Sequence, residues 1–399
     1  MTCTTPIPTR ARTGSVAPAL SVERLGTHRA LAAEETWRRL EPLFPRAGIT
    51  RVADVTKLDD IGFPVWQAVR PNSANLSVSQ GKGLTHRLAR VSAAMESYES
   101  WAAEQPRPDA VVAGLAELAD ALTYDPLRLA PSADRTPQWA TPLLWCPAED
   151  LTEGCRTWLP VDAVTVDLRV RPYWAPDTFA TVTSNGLAGG NTLTEATLHA
   201  LLEVVERDDL VRASATPGGL WAGAVAVRPG RFGAAAAVLR HCAAAGAVVE
   251  VADCTGPWGV PTFTARLWSP SLPSWFSGSG THHDADVALS RAVTEAVQSR
   301  LTAVAGARDD LPFLTYASEG AQPPTPGCPD SDELITRHHP APSPEPPGRD
   351  LDADLADLLG RLAADGHHVL RADLTPEGAP IPVVRVVVPG SRCDDKAGS

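Results

Sequence analysis

The sequence predicts an α/β protein with mixed sheets, helices and an internal strand-turn-strand repeat. Two observations carry that expectation. Helical stretches of 3.6-residue periodicity alternate with short apolar runs of strand length. A unit of helix, glycine, strand, turn and strand occurs twice. GAVVEVADCT at 246–255 and GHHVLRADLT at 366–375 each follow an Ala/Leu-rich helix, AAAAVLRHCAAA or DLADLLGRLAAD, and each lead to a second strand, VPTFTARLW or IPVVRVVVP. The matched acids Asp253 and Asp373 stand in Asp-x-Thr, which a turn between two strands explains more simply than catalysis does. At 399 residues the chain is long enough for a large core, in one big domain or two.

Taken in order, residues 1–27 open with MTCTTPIPTRARTGSVAPAL, which is polar, rich in Pro and Thr, and without the apolar core of a secretory signal; they read as a disordered lead-in. Residues 28–70 form an N-terminal segment, a helix over 28–45 ending before Pro45 and then short strands. Residues 70–390 read as the main domain. Within it SQGKGLTHRLARVSAAMESYESW (79–101) opens with a glycine-flanked lysine and runs into a helix, and DAVVAGLAELADAL (109–122) reads as an amphipathic helix. Residues 123–160 are loop-rich, and VDAVTVDLRV (161–170) reads as a strand leading to the central motif. The Pro-rich stretch 320–349 reads as a long mobile loop, and 391–399 as a flexible tail.

The most informative stretch is SNGLAGGNTLTEATLHALLEVVERDDL (184–210), a glycine-broken loop that becomes a helix. At about 100° per residue, Glu206 lies about 20° from Glu195, His199 about 40°, Glu203 about 80° and Arg207 about 120°, while Leu198, Leu201, Leu202, Val204 and Val205 fill the opposite arc. Carboxylates so close repel unless a cation neutralises them. A solvated acidic face, with Thr192 and Glu195 as a simple capping box, is the plainer alternative. The earlier helix repeats the design with Glu96 and Glu99 three residues apart on one face. Of 35 basic residues only Lys57, Lys82 and Lys396 are lysines, and Lys82 stands between Gly81 and Gly83, where a compact charge can meet a phosphate or simply occupy a turn. Two acidic helices with a Gly-Lys-Gly segment could hold a magnesium-bound nucleotide, since Mg²⁺ favours a few carboxylates plus phosphate oxygens.

At these residues the chain resembles a known family. The stretch 184–208 looks like the signature of the YcaO family, SQGKGLTHRLARVSAAMESYE resembles that family's earlier helix, and RAVTEAVQSRLTAVAGARDDL (291–311) its later one. The three blocks occur in family order, the similarity covers roughly residues 70–390, and neither a Walker loop nor a Rossmann fingerprint is present. The resemblance implies a YcaO-type fold that binds ATP and Mg²⁺. By position it puts Glu96, Glu99, Glu203 and Glu206 at the magnesium ions, and Lys82, Asn191, Glu195, Arg207 and Arg308 at the nucleotide. Ser100 follows Glu99 where the family commonly has Arg. No catalytic base is identified.

The resemblance further implies an enzyme that activates a backbone amide of a ribosomally made precursor peptide by phosphorylation. Cyclodehydration of Cys, Ser or Thr to an azoline leads, with thioamide or macrocyclic amidine formation as alternatives. A non-catalytic nucleotide-binding accessory protein is the alternative of another class. The chain ends GSRCDDKAGS without the Pro-x-Pro-x-Pro tail of many partnered members, which favours a stand-alone enzyme or one helped by an accessory or leader-binding protein; a homodimer is left open. The net charge of −12 with dispersed basic residues argues against nucleic acid, and no apolar run spans a membrane. Seven scattered cysteines without a C-x-x-C argue against a disulfide framework or structural zinc and fit a reducing cytoplasm. The His-His pairs at 282–283, 338–339 and 367–368 do not read as ligand pairs, because neighbours on a strand face opposite ways.

Overall fold

The computed structural model describes residues 24, 26–129, 142–167, 183–231, 233–307, 329–338 and 350–392. Most of the lead-in (1–27) and of the tail (391–399) expected from the sequence lies outside them, at residues 1–23, 25 and 393–399. The chain divides into two units, and two of the divisions fall inside helix α3 (His86–Ala103), between Tyr98 and Glu99, and inside helix α5 (Leu193–Ser214), between Val204 and Val205.

The first unit carries a six-stranded sheet built from β4 (Val111–Ala113), β5 (Leu143–Asp150), β6 (Cys155–Pro160), β7 (Leu187–Gly189), β12 (Leu370–Asp373) and β13 (Val383–Val387). Its order is β4-β5-β12-β13-β7, with β6 paired to β5. Helix α9 (Leu351–Ala364) ends at Gly366, whose φ of 77° is the left-handed turn that returns the chain to β12.

The second unit has two sheets. One is β1 (Arg51–Asp54), β2 (Val65–Val69) and β3 (Val78–Lys82). The other runs in the order β11-β10-β9-β8, from β11 (Leu272–Thr281), β10 (Thr262–Ser269), β9 (Val248–Asp253) and β8 (Val225–Val227). Alternation along its strands turns Val249, Val251, Phe263, Ala265 and Leu267 to one face. There they share a core with Val238 and Leu239 of α6 (Ala234–Ala244) and Leu289, Val293 and Val297 of α7 (Ala285–Ala305).

The repeat is real and each unit holds one copy. After α6, Gly246 with φ 69° mirrors Gly366. In both copies the Asp closes a turn: Asp253 Oδ1 accepts from Thr255 N–H at 3.0 Å and Asp373 Oδ1 from Thr375 N–H at 2.9 Å. Each threonine hydroxyl then accepts a backbone N–H of the returning chain, from Thr262 at 3.2 Å and Val383 at 3.1 Å. Among the named strands every pairing is antiparallel, and these turns join two of the pairs, β9–β10 and β12–β13; the parallel contact among the described residues is the isolated bridge Arg228–Asp330.

Several local expectations are corrected. The helix of 28–45 begins at Ala33 (α1, Ala33–Leu40), and the chain stays helical through Pro45, which occupies the first turn of α2 (Phe44–Ala47), where a missing N–H does no harm. The expected helix 109–122 is strand β4 followed by the single turn α4 (Leu115–Leu118). Val111 and Val112 pair with β5, and Gly114 breaks the chain, its N–H capped by Glu117 at 2.7 Å. The loop-rich 123–160 contains strands β5 and β6. The expected strand 161–170 instead turns after Pro160 into a 3₁₀ turn, Val161–Ala163, with Thr165 hydroxyl bonding back to Val161 O at 3.0 Å; residues 168–170 lie outside the described ones. The Pro-rich 320–349 is not one loop. Its proline-free run forms α8 (Ser331–His338), acidic in the first turn and basic in the last. Cys146, Cys242 and Cys254 are buried free thiols, but Cys155 is disulfide-bonded, against the expectation of isolated thiols.

Candidate functional site

In the unit of the six-stranded sheet the polar groups gather at the end of β7. Thr192 Oγ1 accepts from the Glu195 N–H at 3.1 Å, which starts α5. Glu195 does not complete a capping box. Its two carboxylate oxygens instead each lie 3.2 Å from Asn191 Nδ2, and both residues are buried, at 4% and 8% exposure. Glu99 Oε1 accepts the Gly189 N–H at 2.6 Å, a charge-assisted bond that ties α3 to β7. Glu203 is half-buried on α5, one turn before Glu206.

The second unit holds the rest. Lys82 is the last residue of β3 rather than part of a loop, and its flanking glycines serve packing. A Cβ on Gly81 would come within 2.0 Å of Ala93 N, and one on Gly83 within 2.6 Å of Leu88 Cβ, so both let α3 lie directly on the strand. Lys82 Nζ meets Glu295 Oε2 at 2.7 Å. Burial pushes the Glu295 carboxyl up, but Lys82 and then Arg207 outweigh it, with help from Arg291, and hold it below the usual carboxylate range. Glu206 is buried and its Oε1 accepts the Ser279 hydroxyl at 2.8 Å, while Glu96 is exposed on α3.

The structure thus pairs Asn191 with Glu195, fixes Glu99 to β7 and Glu206 to β11, and sets Lys82 and Arg207 about one carboxylate. Arg308 lies outside the described residues. Sequence reasoning missed Glu295 and Ser279. Glu295 stood inside a recognised block, and the alternation Gly278-Ser279-Gly280 could have shown that the serine faces away from the glycine-lined side. Among the described residues no three His, Cys, Asp or Glu side chains come together as a self-sufficient metal site. The candidate donors are all carboxylate oxygens, a hard set that suits Mg²⁺ when phosphate oxygens and water complete its shell.

Among the described residues no helix is long and apolar enough to cross a membrane. Residues 80–392 match a family model described as YcaO cyclodehydratase, ATP- and Mg²⁺-binding. An uncharacterized protein of Mycobacterium tuberculosis is 40% identical over 382 residues, covering 94% of this chain and 85% of that one. A solved heterocyclase in complex with substrate and cofactor superposes with a TM-score of 0.71 at 22% identity, over 98% of this chain; the match spans 55% of that heterocyclase. The YcaO protein of Methanopyrus kandleri, bound with AMPPCP and Mg²⁺, superposes with a TM-score of 0.68 at 24% identity, over 94% of each chain. At these identities the two solved structures speak to the fold.

Proposed function

The chain belongs to the YcaO family, and we propose that it uses ATP and Mg²⁺ to activate a backbone amide of a ribosomally made precursor peptide, with cyclodehydration of Cys, Ser or Thr to an azoline as the outcome. The observation that carries this reading is the retained polar set, Glu99, Asn191, Glu195, Lys82, Glu206 and Arg207, each described side chain held in place as the previous subsection describes, within a family-model match over residues 80–392.

In this reading Glu96, Glu99, Glu203 and Glu206 would hold Mg²⁺, and Lys82, Asn191, Glu195, Arg207 and Arg308 would face the nucleotide. When bound, Mg-ATP supplies a phosphoryl group to the oxygen of an attacked peptide amide, turning a poor leaving group into phosphate. The chain's own part is electrostatic and positional. Lys82 and Arg207 offset phosphate charge, and Ser279 keeps Glu206 turned toward one rotamer. The Asn191–Glu195 contact keeps a buried carboxylate oriented.

The balance of the reaction sets the test. Peptide plus ATP gives ADP, phosphate and a peptide lighter by one water, about 18 Da, the charge of the transferred group being screened as in other phosphoryl transfers. Mass spectrometry of candidate precursor peptides, incubated with the enzyme and Mg-ATP, should show that loss together with ADP. Glu203→Gln should abolish the loss and leave the far-ultraviolet circular dichroism unchanged. A gain of about 16 Da that requires sulfide would redirect the proposal to thioamide formation, the amide activation being shared. Phosphate release with no change in peptide mass would refute the catalytic reading.

A further inference from the structure

Strand β4 is an edge strand of the six-stranded sheet, and the site assigned so far makes no use of it. Strand β6 takes one side of β5 along residues 145–150, so β4 and β12 lie end to end on the other side, β4 against Leu143–Trp145 and β12 against Glu149–Asp150. Among the described residues β4 pairs with β5 alone. Val112 is 71% exposed and stands opposite Leu144, which is 45% exposed. Val111 is on the other face, opposite the fully buried Trp145, yet it stays 40% exposed, since among the described residues no strand closes its outer flank. A strand with one neighbour directs alternate N–H and C=O groups outward, and natural sheets blunt such an edge with charge or proline as well as shortness. Val111–Ala113 is short but carries neither.

The edge also lies at the site's end of the sheet. Arg107, in the approach to β4, donates from Nη1 to Asp373 O at 2.7 Å, so β4 begins where β12 ends. Asp373 pairs with Val384, and Val383 with Gly189, whose N–H is held by Glu99 and which leads into Asn191 and Glu195. From the end of β12 to the end of β7 is two strand spacings, about 10 Å, a span that about three extended residues cover.

We propose that β4 takes up an extended segment of the precursor peptide as an added strand, next to the residue that is modified; this rests on the peptide-substrate reading above. Backbone pairing holds a segment with little regard to its sequence, while Val112 and Leu144 receive apolar side chains at every second position. Three residues pairing with three bury far less than the roughly 1,200 Å² of a stable protein interface, which favours a peptide over a second copy of this chain.

The probe is the synthetic precursor whose mass changes in the assay above, remade with one backbone N-methyl group at each residue in turn and given to the wild-type chain. An added strand bonds through every second N–H, so methylation should raise KM about 10-fold at alternate residues of one segment and about 2-fold or less between them. Val112→Lys puts an edge-blocking charge on the strand and should raise KM about 10-fold, with kcat held, while Val112→Thr keeps a β-branched side chain and should stay within about 2-fold of wild type. Thermal unfolding checks that both variants fold. A methylation profile without alternation, or an unchanged KM in Val112→Lys, would overturn the proposal and leave amide activation intact. A wild-type dimer that Val112→Lys turns into a monomer in light scattering, with KM unchanged, would give the edge to a second copy and also overturn it. If no precursor changes mass, the peptide-substrate reading falls and this proposal with it.

Discussion

Asp209 lies three residues beyond Glu206 on α5 and is 1% exposed. Its Oδ2 accepts the Thr262 hydroxyl at 2.7 Å, and its Oδ1 lies so close to Gly256 that a Cβ there would come within 1.8 Å. Burial pushes the carboxyl up from 3.8 to about 7, against the bonds from Thr262 and Gly256 and the charge of Arg212, with Asp208 adding to the rise. The folded value lies above the unfolded one, so the sign is fixed. Below the unfolded value both states hold the proton and the contribution is fully present. As pH rises toward the folded value the unfolded chain has already ionised while the fold has not, and stability falls at about 1.4 kcal/mol per unit; above it the loss is complete. The shift from 3.8 to about 7 sets a ceiling of about 4 kcal/mol on that loss. Asp209→Asn is neutral at every pH and fits the same space. Its amide can donate to Thr262 Oγ1, whose own proton can go to Val260 O at 3.2 Å. The variant should therefore gain on the wild type between pH 5 and pH 8, the difference in midpoint temperature widening by several degrees at roughly 2–4 °C per kcal/mol. Thermal unfolding across that range tests it. Parallel pH profiles for the two proteins would show that Asp209 ionises normally and that the argument from burial is wrong.

Gly81→Ala should destabilise the chain by about 3 kcal/mol or more, because its Cβ would sit 2.0 Å from Ala93 N and must push α3 off β3; a thermal melt reads this, and a midpoint within a degree of wild type would contradict it. Ser279→Ala removes the hydroxyl donor to Glu206 and should weaken Mg-AMPPCP binding by a few fold, for a net bond worth about 1 kcal/mol, without changing the circular dichroism. Asp150 is buried, which pushes its carboxyl up, but hydrogen bonds from Thr152, Thr123 and His368 outweigh this and hold it below its ordinary value. That stabilisation is present at neutral pH and lost as pH falls through the folded value, so Asp150→Asn should be less stable at neutral pH and should flatten the acid limb of the stability profile.

Elements whose cause is local were legible in the sequence. The helices α3, α5, α6 and α9 carry their own periodicity, and the two Asp-x-Thr turns carry their own hydrogen bonds, so both copies of the repeat follow from residues alone. The misses share a different cause. Residues 109–122 have a helical pattern, yet Val111–Ala113 gains more from pairing with Leu143–Trp145, thirty residues on, than from its own propensity. Pro45 reads as a stop because proline breaks a helix interior, but a new helical turn begins at Phe44 and makes it a first-turn residue. Ser331–His338 is hidden in the sequence because prolines on both sides mask a separate eight-residue helix.

The candidate site divides along the same line. Glu195, Glu203 and Glu206 share a helix, so their common side follows from 100° per residue. What holds them does not, since each partner is distant in the chain: Glu206 is bound by a serine 73 residues away and Lys82 by a glutamate 213 residues away. Strand β11 shows how one local pattern could have bridged that gap. Its parity sends Gly278 and Gly280 to the face that α7 covers, where only hydrogen leaves room for Glu295 and Arg291, and it sends Ser279 to the face that meets Glu206 on α5. A single Gly-Ser-Gly run therefore positions the charged groups of two helices from opposite sides. Exchanging Ser279 and Gly280 would put a side chain against α7 and leave Glu206 without its donor. The spacing of small residues in this strand is as much part of the site as the carboxylates it serves.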